Sequence, residues 1–148
     1  MQMRIHVLSR SGALVAAVGV FASACTLAAD GIPDLLKGEG PDPVAIVGKR
    51  KADWYLHFYE TRGWIFGKET GRTDEARQLL ITVVPDNSAV KGQLQVGDVI
   101  LGVKGKRFDK NPIEQFRAVS ARASLHLRPL KVIMWRKGWS GPREVALK

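Results

Sequence analysis

Residues 79–107 read LLITVVPDNSAVKGQLQVGDVILGVKGKR, and this stretch decides the fold. Leu79 to Val84 is too short for a free-standing helix and rich in β-branched residues, which predicts a buried strand ending at Pro85. Asp86-Asn87-Ser88 places oxygen acceptors ahead of Ala89-Val90, the pattern that starts a short helix, and Gly92 supplies a left-handed stop. Gly97-Asp98 leads tightly into a second apolar run that ends at Val103. The following Lys104-Gly105-Lys106 has the chemistry of a hairpin turn.

The spacing of these residues resembles the signature of the PDZ domain, a strand followed by P-x-S-P-A and then G-x-L-x-x-G-D-x-I-L-x-V-x-G. Here the first element reads Pro85-Asp86-Asn87-Ser88-Ala89. The second runs from Gly92 through Leu94, Gly97-Asp98, Ile100-Leu101 and Val103 to Gly105. The resemblance extends over about Trp54 to Lys148. It implies an α+β, PDZ-like, partly open antiparallel β-barrel or sandwich of five to six strands, with one main helix and one short helix.

Upstream, Trp54, Leu56 and Phe58 alternate with Tyr55, His57 and Tyr59, as a half-buried strand does. Thr61-Arg62-Gly63-Trp64-Ile65-Phe66-Gly67 follows. By the resemblance, Arg62, Gly63, Trp64, Ile65, Phe66 and Gly67 form the loop that receives a peptide's terminal carboxylate. The chemistry of such a loop is that of successive backbone N–H groups turned toward an anion. Ile65 departs from the family pattern, which often has a second glycine there. Arg62 takes the role of the basic residue usually found further upstream.

Lys68 to Gln78 is polar and reads as a loop. Asn111 is a good N-cap, Pro112 suits the first helical position, and Phe116, Val119 and Ala123 recur at helical spacing, so a helix is expected over 111–123. The resemblance makes this helix one wall of a peptide groove, with Ile113 at the selectivity position and Arg117 and Ser120 further along. Leu130 to Trp135 and Arg143 to Leu147 read as closing strands around the turn at Lys137-Gly138.

The chain has 148 residues, one domain's worth, with an ordinary globular composition and a formal net charge of +9. The cations are scattered, and no aromatic-interleaved basic stripe accompanies them, which argues against nucleic acid. Residues 1–29 have the form of a signal peptide. Arg4 and Arg10 precede an apolar run over 12–24, and small residues precede Asp30. Its loss takes two arginines from +9 and leaves +7. Cys25 rules out an intrachain disulfide, being the sole cysteine, but Ala22-Ser23-Ala24-Cys25 resembles a lipobox, so lipidation at Cys25 is the alternative. Glycines and prolines over 30–53 predict a flexible arm or linker, leaving 54–148 as the PDZ domain.

His57 and His126 have no metal-ligand partner in sequence. Ser88, Ser120, Ser124 and Ser140 lie in no nucleophile elbow, so no enzyme chemistry, metal or cofactor is expected. The expected function is an exported, monomeric, periplasmic or secreted module that captures peptide or protein C-termini, or extended segments, by β-augmentation. The alternatives are a PDZ fragment of a larger exported protease-like protein and a basic adaptor for anionic envelope polymers.

Overall fold

The structure is a computed structural model, and it describes residues 31–47, 53–67, 72–126 and 128–148. The expected leader, with Cys25, lies outside the described residues. The described chain forms an α+β arrangement with one antiparallel sheet and one main helix. The strands are β1 (Trp54–Tyr55), β2 (Arg62–Trp64), β3 (Leu79–Val83), β4 (Val99–Val103), β5 (Lys106–Arg107), β6 (Leu130–Trp135) and β7 (Arg143–Leu147). Helix α1 is Pro112–Leu125. The sheet has seven strands, ordered β1-β2-β3-β4-β6-β7, with β5 beside β4. The expected five to six strands become seven because Arg62–Trp64, expected in a loop, and Lys106–Arg107, at the edge of the expected turn, both pair as strands.

Side-chain alternation sends the central strands' residues to two faces. Leu79, Ile81, Ile100, Val132 and Met134 join the larger core, over which Phe116 and Ile113 of α1 pack. Leu80, Val99 and Leu101 point the other way into a smaller cluster with Leu35. In β4 the pairing with β6 slips between Ile100 and Gly102, so Val103 returns to the larger core. A methyl group on Gly102 would overlap the Lys106 carbonyl of the β4–β5 hairpin, so only glycine fits this crossing. The hairpin turn itself has positive φ at Lys104 (52°) and Gly105 (73°), the backbone a tight two-residue turn demands.

Gly97 (φ 95°) turns the chain into β4, and Asp98 beside it is buried. The Asp98 carboxylate accepts from Arg136 Nε at 2.7 Å and Nη2 at 2.8 Å, and from the Gln95 N–H at 2.7 Å. Arg136 also donates to the Gln93 carbonyl. One carboxylate thus fixes the Gly-Asp turn to the end of β6. The hydrogen bonds that Arg136 donates to Asp98, with burial opposing them, raise the guanidinium pKa above its ordinary value.

The expected short helix near Ala89 is absent. Residues 86–93 form consecutive turns, ending at Gly92 (φ 88°) as expected. Short 3-10 turns occur instead at Leu35–Lys37 and Glu75–Arg77. The first lies in the segment expected to be a linker. Asp34 caps it, and Gln78 holds it by accepting from the Leu35 N–H at 2.6 Å and donating to Asp34 at 2.9 Å. Leu35 is thereby buried against Leu80 on the face opposite α1.

Candidate functional site

The residues expected to line a carboxylate loop fold otherwise. Arg62–Trp64 is a strand with neighbours on both sides. Tyr55 and Trp54 stand opposite Arg62 and Gly63, and β3 pairs on the far side through Val83, Ile81 and Leu80. Their backbone groups serve the sheet rather than an anion nest. Gly63 packs tightly, since a Cβ there would sit 2.7 Å from Leu79 Cδ1 and 3.1 Å from the Leu80 carbonyl, and the Leu79 side chain would have to shift. Trp64 packs with the smaller cluster and Ile65 is buried in the larger one. Ile65, Phe66 and Gly67 follow β2 outside the strand.

Arg62 is already engaged. It donates to both oxygens of Asp53, at 2.6 and 2.9 Å, and Asp53 is buried beside Thr82. The hydrogen bonds to Asp53, opposed by burial, lift the Arg62 guanidinium above its ordinary value. Sequence spacing hid this pair because Asp53 stood at the end of an apparent linker.

Helix α1 lies where a helix was expected, capped by Asn111, whose side chain accepts from the Ile113 and Glu114 N–H groups. Ile113 is buried in the larger core, which fixes α1 to the sheet. Ser120 is fully buried and its hydroxyl donates to the Arg117 carbonyl, one turn back. Arg117 alone of the three reaches across. Its guanidinium donates through Nε, at 2.8 Å, and through Nη2 to the Tyr55 carbonyl.

That contact defines the geometry of the edge. The Leu56 N–H donates to the Thr61 carbonyl, toward β2. In an antiparallel pair successive residues alternate, so the Tyr55 N–H and carbonyl face away from β2, toward α1. An extended backbone, Trp54–Tyr55, therefore lies with β2 on one side and an arginine of α1 on the other.

The stretch connecting β1 to β2 has the unusual backbone. The strand expected to continue to Phe58 stops at Tyr55 because His57 (φ 57°), Tyr59 (φ 46°) and Glu60 (φ 58°) adopt left-handed conformations. Leu56 and Phe58 still point inward, and the Phe58 ring meets Phe116 edge-on at 5.7 Å. Among the described residues the N–H groups of His57, Phe58, Tyr59 and Glu60 have no hydrogen-bond partner. Beside this loop is a hollow of about 280 Å³, bounded by Phe58, Ala123, Arg128, Pro129 and the C-terminal Leu147 and Lys148. A larger cleft, about 850 Å³, lies on the opposite face between the 34–43 segment and the sheet, over Leu80, Val99 and Trp135.

Among the described residues no group of three or more His, Cys, Asp and Glu could hold a metal ion, and no helix is long and apolar enough to cross a membrane. Compared with protein-family models, with curated proteins and with solved structures, the chain matches none.

Proposed function

We propose that this protein is a non-catalytic, exported PDZ-like module that binds peptides by adding an extended strand beside β2. One observation carries the reading: the space between β2 and α1 holds a length of extended backbone, paired antiparallel with β2 and met by Arg117 from the helix. A strand in that space gains main-chain hydrogen bonds from β2, and side chains on the helix wall read its residues. The match of residues 85–105 to the PDZ signature supports the same reading.

The anion-binding part of the site is reassigned from Gly63–Gly67 to His57–Glu60. Its N–H groups are unpaired among the described residues, and its φ angles include those from which backbone nests are built. A ligand's terminal carboxylate ends there, with its last side chain toward the hollow at Phe58 and Pro129. A library of peptides, each made with a free and with an amidated C-terminus, tests this. Free ends are expected to bind on the order of tenfold tighter, the worth of one charge-assisted hydrogen bond. Equal binding would transfer the reading to internal segments, and no binding by any extended peptide would refute it.

A further inference from the structure

The strand that fills the β2 edge belongs to the protein itself, and its attachment is divided unevenly. Leu56 and Phe58 are almost wholly buried, so the loop that follows is fixed to the core. Trp54 and Tyr55 keep 45% and 38% of their surface exposed, although they are the two residues that pair with β2. Partial burial and the Tyr55–His57 ring contact at 4.7 Å hold them only in part. The rest is polar: two ladder positions, the bidentate Asp53–Arg62 pair and the Arg117–Tyr55 bond. Arg62 remains 38% exposed at its side chain, so another carboxylate has access to it.

We infer that Asp53–Tyr55 is a built-in ligand mimic, and that the peptide which displaces it carries an acidic side chain to replace Asp53 on Arg62. The inference rests on the reading of β2 as a strand-accepting edge. Each contact of the internal segment has a ligand counterpart. A main chain re-forms the ladder with Gly63, a carbonyl meets Arg117, and a carboxylate meets Arg62. The protein thus holds its edge paired until a better strand arrives, which also protects that edge from association with other chains. Only the fraction of molecules with β1 detached binds ligand, so weakening β1 raises apparent affinity.

The test uses the full chain and a fluorescent peptide with the sequence of residues 50–56, together with its counterpart in which Asp53 is replaced by Asn. Trp54→Pro removes an N–H that lies opposite Gly63 and forbids normal pairing of β1. The variant is expected to bind the Asp53-bearing peptide about tenfold or more tighter than the wild-type protein does, the equivalent of one to two ladder bonds. The Asn peptide is expected to lose about tenfold of that gain. If Trp54→Pro lacks a cooperative melting transition, Asp53→Ala is measured by the same criterion. A folded variant that binds no tighter than wild type overturns the inference while leaving strand addition intact wherever library peptides still bind. Equal binding of the Asp and Asn peptides overturns the requirement for an acid. Failure of every peptide to bind either protein removes both the inference and the strand-accepting edge.

Discussion

At the scale of single residues, two positions bear loads their chemistry cannot share. Gly102 lies where β4 is crossed by the backbone of the β4–β5 hairpin, and even a methyl group would strike a carbonyl that has no rotamer with which to yield. Gly102→Ala is expected to cost about 3 kcal/mol, the upper range for overpacking, read as a lowered urea midpoint. Asp98 is buried and accepts three hydrogen bonds, two of them from Arg136. Asp98→Ala strands that guanidinium and frees the Gln95 N–H. A loss of about 3 kcal/mol is expected in the same experiment. A loss below about 0.5 kcal/mol, the level of a neutral surface change, would show that the pair is incidental. Asp98 was visible in the sequence as the start of a strand after a turn, and Gly102 only as part of an apolar run. The Arg136 partner was not visible, because it reaches Asp98 across 38 residues through a pairing that spacing does not encode.

At the scale of elements, α1 is the most locally determined. Asn111, Pro112 and the recurrence of Phe116, Val119 and Ala123 specify its start and its inward face, and the observed helix runs from Pro112 to Leu125. Asn111→Ala is expected to cost about 1 kcal/mol through the two N–H groups it leaves unsatisfied, with thermal unfolding as the readout. The short strands follow a different rule. β1 has the alternating pattern of a five-residue strand but pairs over two residues, since the left-handed backbone from His57 onward turns the chain back. None of those three residues is glycine, so composition carried no sign of the turn. The same turn explains the shift in the candidate anion site. The glycine and aromatic pattern at 63–66 resembles a loop, yet Gly63 and Trp64 lie in β2, with Leu79 packed close against Gly63.

At the scale of the whole molecule, the sheet separates two unlike faces, one covered by α1 and one by the segment around Leu35. The second covering hangs on Asp34. Burial acts to raise its carboxyl, but hydrogen bonds from Gln78 and the Leu36 N–H, with Lys37 close by, outweigh burial and hold it below the ordinary 3.8. A lowered folded value means that the charged form favours the docked segment. Its contribution is fully present above 3.8 and disappears as pH falls through the folded value. Acidification from about pH 6 toward about pH 2 should release the segment before or with global unfolding, and Asp34→Asn should remove that acid-dependent step. Trp135 lies beside this segment, so tryptophan emission reports it. An unchanged acid profile in Asp34→Asn would sink the assignment.

By itself the sequence determined the strands at Leu79, Val99, Leu130 and Arg143, the helix and the hairpin turn. All of these follow from hydrophobic period, capping and turn chemistry over a few neighbouring residues. Tertiary structure alone decided that Asp53 meets Arg62, that Gln78 grips Asp34, and that β1 lies between β2 and α1. Those contacts join segments 9, 44 and 62 residues apart, through ion pairs and single hydrogen bonds whose partners leave no periodic trace in the chain. Pairing at a sheet edge is a property of where two backbones arrive, and only the packed core determines that.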